Sequence, residues 1–525
     1  MDNESKEMDR RTFMKLGLAA TAGAAMTSSM LGSLWAGPLK GDAAADLPLH
    51  VLAGMIRKGQ ITSKQVVELY LARIEKFDGR KGINAYITVA ADQAREQAEK
   101  LDKLAKGKKF QGPLHGLPIA VKDNMDTASI RTTGGSSILE NWYPKQSATA
   151  VERLQKAGAI IIGKTNMHEF AFGITTNNPH YGPTRNPYDF SRIPGGSSGG
   201  SGAAVAAAFC AGAIGSDTGG SVRIPSALCG VVGLKPTLGR VGRGGLMYLS
   251  FTRDVIGPIT RTVKDSAMML SVIAGADPRD PDAVTKDAID YRTLSRDAIK
   301  GKTFGVPKKY FFEVIDPETE RVMNDTFKAI EKAGGRVKEV EVKSMDIATP
   351  TGFNIVLAEA VYLIENYLKT FDPQATIEKY LDRMGPDVKG ALGSQKGPGS
   401  KPVPGYLYVE SIKEGRRKMT EGFESAMSGV EALLLPTTPL PASLIGEEAE
   451  CDLNGKKVNT FLTFIRNCDP VSVVGYPAIT VPAGYSAKGL PIGLQIVARP
   501  WEEKKLLNLA YAVEQTTKAR KPPKL

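Results

Sequence analysis

Histidine is nearly missing from this chain. Only four occur in 525 residues, His50, His115, His168 and His180. All four precede the Gly/Ser-rich stretch that opens at Gly195. A nucleophile elbow needs a histidine later in the chain, in the order Ser, acid, His. Gly195-Gly196-Ser197-Ser198-Gly199 therefore matches that pattern by letter only. Other folds place histidine first, but His168 and His180 are the only nearby candidates, and lone histidines are more often structural. Cysteine is equally scarce. Cys210, Cys229, Cys451 and Cys468 lie far apart with no CxxC spacing, which argues against a metal site. The residues leave a Cys451–Cys468 disulfide open, and read Cys210 and Cys229 as buried thiols. No basic run carries interleaved aromatics. The net charge of +12 is spread thinly, so a solvated surface is expected rather than a nucleic-acid groove.

What is present is ordinary globular material, 42% hydrophobic and 24% charged. At the N-terminus, Arg10-Arg11-Thr12-Phe13-Met14-Lys15 precedes an uncharged run rich in small residues. That resembles a bacterial twin-arginine export signal. The run is long enough for an anchor but only weakly hydrophobic, which favours a cleavable signal. The expectation is a signal and linker over 1–45, a catalytic domain over 46–525, a periplasmic location and passage through the export machinery.

Beyond it, helix and strand signals alternate. Thr62-Ser63-Lys64-Gln65 reads as a capping box ahead of Val66, Leu69, Tyr70 and Ile74 at helical spacing. Leu117 to Val121 reads as a buried strand with Lys122 at its end, and Ala159 to Ile162 as another. Later strand signals fall at 302–306, 336–342, 432–435 and 493–497, with helices over 318–333 and 502–516. This argues for one large α/β/α domain, a central mixed sheet covered by helices on both faces. The Pro/Gly-rich stretch 385–405 reads as a long surface loop. Gly158 to Thr165 satisfies the P-loop pattern by letter. Its intervening Ala-Ile-Ile-Ile is a strand core, not a phosphate cradle.

Two Gly-flanked serine clusters, 195–201 and 216–223, are joined by an apolar run that reads as one buried helix. Glycine permits close backbone approach, and successive amides in such turns can converge on one spot. A serine hydroxyl needs a base. Without histidine, that base is a lysine kept neutral by burial and by hydroxyl partners. Lys122, between Val121 and Asp123-Asn124, is one lysine among many on residues alone.

Three stretches then carry a resemblance. Gly116-Leu117-Pro118-Ile119-Ala120-Val121-Lys122-Asp123-Asn124 is the first, and Gly163-Lys164-Thr165-Asn166-Met167-His168-Glu169-Phe170 the second. The third runs from Pro194 to Ser201 and from Gly215 to Pro225. Gly233-Leu234-Lys235-Pro236-Thr237 and Gly489 to Gln495 extend it. The chain resembles the amidase signature family, whose Ser–Ser–Lys triad hydrolyses carboxylic amides. The resemblance implies Ser221 as acyl-forming nucleophile, Ser197 on a cis peptide as the bridging serine, and Lys122 as base. The backbone amides of Thr218, Gly219, Gly220 and Ser221 match the family's oxyanion hole. Asp217 and Arg223 match charged positions that fix the turn, and Ser198 is expected to hydrogen-bond within the site without reacting. His168 is assigned no catalytic role. No metal or cofactor is implied.

The expected partner is a small-molecule amide, with no nucleic acid, and a homodimer is left open. The alternative within the family is the glutamine amidotransferase subunit of a tRNA transamidation complex. An alternative of another class is a non-catalytic anion-binding protein. Substrate choice is expected to lie in 354–371, 385–408 and 461–476.

Overall fold

The apolar runs around Val121, Ile161 and Leu434 become strands buried on both faces. In the computed structural model, which describes residues 42–525, they belong to an 11-stranded mixed sheet. In chain order its strands are β1 (Tyr86–Val89), β2 (Pro118–Lys122), β3 (Ile160–Thr165), β4 (Gly212–Asp217), β5 (Val232–Lys235) and β6 (Val255–Thr260). There follow β7 (Thr303–Pro307), β8 (Arg336–Val340), β9 (Ala432–Pro436), β10 (Ala478–Tyr485) and β11 (Pro491–Val497). Across the sheet the order is β1-β3-β2-β4-β6-β5-β10-β11-β9-β7-β8. β2 runs parallel to both β3 and β4, whereas β4 is antiparallel to β6. Every residue of β2, β3, β4 and β6 is buried, as expected of strands covered on both faces. The edge strand β8 is mostly exposed and carries Arg336, Lys338 and Glu339, charges that discourage edge pairing.

Helix α1 (Ser63–Phe77) starts at the expected capping box. The Thr62 side chain accepts from the Gln65 amide and the Gln65 side chain accepts from the Thr62 amide. An N-cap of this kind is worth about 1 kcal/mol. Helix α2 (Ala91–Lys106) presents Ala94, Ala98 and Leu101 to the core. Ala44 and Ala45, in a short helix before α1, pack into the same core.

The run between the serine clusters is not one helix. Helix α3 (Gly199–Ala206) ends at Ala207, and a turn leads into β4. All eight α3 residues are buried, and their small size is required. A Cβ on Gly200 would lie 2.3 Å from Asn166 O and 2.5 Å from Ala85 O. The stretch 385–405 is likewise not all loop. Pro386–Gln395 forms a helix whose Val388 and Leu392 are buried beside Ile364 and Leu368. Pro386 occupies its first turn, where a missing amide hydrogen is harmless. The remaining expected elements appear within a few residues, including helices Pro317–Lys332 and Glu503–Thr517.

The twin-arginine motif lies outside the described residues. Cys451 and Cys468 are both free thiols in one apolar cluster, so the open disulfide is not formed.

Candidate active site

Parallel pairing of β2 with β4 brings two strand C-termini to the same sheet edge. Val121 pairs with Ile214, so Lys122 ends β2 beside the last residues of β4, Ser216 and Asp217. Crevices at such edges are the usual ligand sites of α/β sheets. The turn into α3 supplies Ser197 and Ser198. The Gly196–Ser197 peptide is cis, as the resemblance implied. The His168 amide donates to Ser197 O (3.1 Å) and the Ser198 amide to Ser221 O (3.2 Å). Both serine turns are thus docked on one another through backbone.

Lys122 is fully buried. Its Nζ lies 2.7 Å from Ser197 Oγ and 2.8 Å from Ser216 Oγ. Asn124 Nδ2 donates to that same Ser216 hydroxyl at 3.0 Å. The neighbouring carboxylate, Asp123, is engaged elsewhere. It accepts from the Thr133 amide (2.8 Å) and hydroxyl (2.5 Å) and pairs with Lys164 Nζ at 3.2 Å. Burial therefore pushes the Lys122 ammonium down to about 7, against the opposing pull of the Asp254 and Asp217 carboxylates. A large fraction of the amine is then neutral near pH 7, with a hydroxyl on each side.

Ser221 sits at the mouth of this arrangement, 7% exposed and lining a cavity. Among the described residues its Oγ has no hydrogen-bond partner, so the structure joins Lys122 to Ser197 but leaves the Ser221 hydroxyl free. The turn before it differs from expectation in one amide. Gly220 N–H donates to Asp217 Oδ1 at 2.8 Å. Among the described residues the amides of Thr218, Gly219 and Ser221 have no protein acceptor. The concavity has three free donors rather than four. Ser198 Oγ donates to Ser216 O at 3.2 Å, a bond within the site as expected.

Asp217 and Arg223 form the expected buried pair. Arg223 Nε and Nη2 donate to the two Asp217 oxygens at 3.0 and 2.8 Å. Arg223 also reaches Gln495 Oε1 (2.5 Å), Ser472 Oγ (2.6 Å) and Cys468 O (3.0 Å), tying the turn to β11 and to the chain before β10. Burial alone would raise the Asp217 carboxyl. The Arg223 guanidinium, with Lys235 and nearby amides, holds it well below the usual carboxylate range.

Several participants were not singled out from the sequence. Ser216 lies inside the Gly215–Pro225 motif, which is its signal in the sequence; its place between Lys122 and Asn124 emerges only in the fold. Asp254 has no such signal. It accepts the Thr218 hydroxyl at 2.5 Å and the Leu249 and Ser250 amides at 2.7 and 3.0 Å, and burial raises it to about 6. His168 points away from the chemistry. Its Nε2 meets Asp387 Oδ2 at 2.5 Å, tying the helix Pro386–Gln395 to the site's edge.

The cavity over Ser221 is lined by Phe172, Ile174, Leu249, Val356, Phe461 and Ile465, with Arg253 and Asp469 in the wall. Two of the three segments expected to set substrate choice, 354–371 and 461–476, reach it. Stretch 385–408 does not line it.

A buried lysine flanked by hydroxyls beside a Gly-rich turn can activate a serine for attack on a carbonyl, chemistry that suits an enzyme cleaving carbon–nitrogen amide bonds. The chain belongs to the Amidase family, whose model matches residues 65–507. It is similar to a glutamyl-tRNA(Gln) amidotransferase subunit of Syntrophus aciditrophicus, 40% identical over 489 residues, covering 90% of this chain and 98% of that protein. Among solved structures it is similar to the native peptide amidase of Stenotrophomonas maltophilia. There the TM-score is 0.80 at 30% identity, over 91% of this chain and 98% of that one. It is also similar to the corresponding glutamyl-tRNA(Gln) amidotransferase subunit of Thermotoga maritima, with a TM-score of 0.74 at 29% identity, over 93% and 99% of the two chains.

Proposed function

We propose that this amidase cleaves its substrate through an acyl-serine formed on Ser221. Neutral Lys122 accepts the proton of Ser197, and Ser197 accepts that of Ser221 as the nucleophile attacks the carbonyl. The tetrahedral oxyanion is met by the free amides of Thr218, Gly219 and Ser221. A single donor of this kind is worth about 3–4 kcal/mol of transition-state stabilisation. Lys122 then returns the proton, through Ser197, to the leaving nitrogen, and water releases the acid. The observation that carries this reading is the buried lysine amine held 2.7 Å from Ser197 with its acidic neighbour paired elsewhere. Labelling with a fluorophosphonate followed by peptide mapping tests it. A covalent adduct on Ser221 supports it. An unlabelled, inactive protein favours the anion-binding alternative.

Two substrates compete. The names of the sequence relatives support glutamine, with ammonia passed on in a multi-subunit complex, better than a free-standing amidase. The cavity wall supports a small, largely apolar amide. Its only two charged side chains, Arg253 and Asp469, bond each other, so the zwitterionic head of glutamine meets no spare counter-charge there. Glutaminase activity set against turnover of primary amides, anilides, peptide amides and carbamates separates them.

Export is a further part of the proposal. It rests on the Arg10-Arg11 motif alone. Fractionation of cells expressing the full chain, with and without Arg10→Lys and Arg11→Lys, tests it, and recovery of both forms in the cytosol would end it.

A further inference from the structure

The cavity over Ser221 is apolar except at one place. There Arg253 Nη2 donates to Asp469 Oδ1, and Arg253 Nη1 donates to Gly352 O at 2.9 Å. Arg253 is 1% exposed, yet its Nε–H has no partner among the described residues. A guanidinium carries five N–H donors in a fixed fork. Two are used here, so three remain on a buried group that lines the cavity. A buried donor without a partner is costly, and such groups call for an explanation.

The pair sits directly against the catalytic turn. A Cβ on Gly219 would lie 2.8 Å from Asp469 Oδ1 and 3.6 Å from Arg253 Nη2. From the other side, a Cβ on Gly352 would lie 2.3 Å from Asp469 Oδ2 and 3.2 Å from Arg253 Nη1. Glycine on both sides leaves room for the pair and little else. Any molecule whose carbonyl lies on the Gly219 amide thus has Arg253 a few bonds away.

Charge decides what that molecule presents. Arg253 is matched by Asp469. The next cation, Arg416, does not line the cavity: its Nη2 donates to Thr252 O and Oγ1 at 3.2 and 3.1 Å, while Glu359 accepts from Ser250 Oγ (2.5 Å) and Tyr408 Oη (2.9 Å). Among the residues that line the cavity, one cation faces one carboxylate. A guest carboxylate would add an unbalanced buried charge, whereas a neutral carbonyl oxygen would fill the spare donors without one.

We propose that Arg253, oriented by Asp469, is a substrate-binding residue that recognises a second, uncharged carbonyl on an otherwise apolar amide, such as a diamide or an acylated amide. This rests on the acyl-serine reading above.

Three probes that share a five-carbon chain test it with the full-length protein: pentanamide, glutaramide and glutaramate. Glutaramide should exceed pentanamide in kcat/KM by about tenfold, the worth of one good hydrogen bond, and glutaramate should be the poorest. Arg253→Lys keeps the pair's charge but loses the fork. It should erase most of the glutaramide preference by raising KM for glutaramide. Arg253→Met combined with Asp469→Leu removes the pair without stranding a charge and should do the same, with folding checked by melting temperature. An unchanged glutaramide-to-pentanamide ratio in both variants overturns the proposal, as does a preference for glutaramate. Absence of any Ser221 adduct would instead overturn the acyl-serine reading, so the two failures are distinguishable.

Discussion

Ser197 Oγ lies 2.7 Å from Lys122 Nζ, bridging the end of β2 and the turn that opens α3. The two residues are 75 positions apart in the chain, and the turn that opens α3 brings Ser197 onto the end of β2. The contact matters because the lysine's other neighbour is also a hydroxyl, Ser216, and the nearest acid in sequence, Asp123, is held by Lys164 and Thr133.

The pH dependence follows. Lys122 is a base only when neutral, and burial brings it down to about 7. Below that value the amine is protonated and the relay has no acceptor. We expect kcat/KM to rise with pH through about 7 and then level off, as measured with a neutral amide between about pH 5 and 9. An optimum below about pH 6 would contradict the role given to Lys122. Lys122→Ala should lower kcat/KM by at least about 10²-fold at neutral pH and remove that titration.

Ser221→Ala should abolish turnover, by about 10³-fold or more, with little effect on folding. Among the described residues the Ser221 hydroxyl bonds to nothing, so its removal strands no partner. Melting temperature and circular dichroism should match the parent, while the fluorophosphonate adduct disappears. A large loss of stability would mean that the hydroxyl has a structural role.

Much of this is legible in the residues. Continuous apolar runs announce the strands buried on both faces, and the capping box places α1 to the residue. Two features mislead for physical reasons. Ala203 to Ala213 is apolar throughout, and a short buried strand cannot be told from a buried helix by periodicity alone. In 385–405, Pro and Gly point to a loop, but Pro386 sits in a first helical turn, where it is tolerated. Asp254 and Asp469 are not readable at all, because their importance comes from what lies across the fold: Thr218 for one, Arg253 for the other. The engagement of Gly220 N–H by Asp217 is equally hidden, being a matter of local turn geometry.

The Asp217–Arg223 pair should matter to stability in an asymmetric way. Arg223→Met leaves a buried carboxylate without its cation and should cost about 3–5 kcal/mol. Despite burial, the Asp217 carboxyl is held below its unfolded value. The stability it contributes is therefore present above the ordinary carboxylate range and is lost as pH falls below it. In chemical denaturation at about pH 7 and about pH 3, the gap between parent and Arg223→Met should narrow at the lower pH. An equal gap at both would show that the arginine stabilises through Gln495, Ser472 and Cys468 rather than through the ion pair.

Gly220 provides the sharpest test of the turn itself. Its φ is +131°, a conformation that side chains rarely adopt, and a Cβ there would meet Cys468 Cβ and Ile224 Cδ1, each at 2.7 Å. Cys468 Cβ is fixed to its backbone and cannot swing aside, and the Ile224 δ-methyl, though a side-chain end, belongs to a fully buried residue, as does Cys468. Gly220→Ala must therefore shift the backbone that carries the Ser221 and Gly219 amides. The strain is on the order of 1–3 kcal/mol, which a fold of this size can survive. The oxyanion geometry cannot, since amides displaced by a fraction of an ångström no longer converge on one oxygen. We expect a folded protein whose kcat falls about 10²-fold or more while KM changes little, because the cavity wall stays in place. Ile224→Val in the same chain deletes the δ-methyl and so removes one of the two clashes. If the fall in kcat comes from displacement of the turn, the double variant should recover part of it; no recovery, with folding intact, would mean that φ alone sets the penalty.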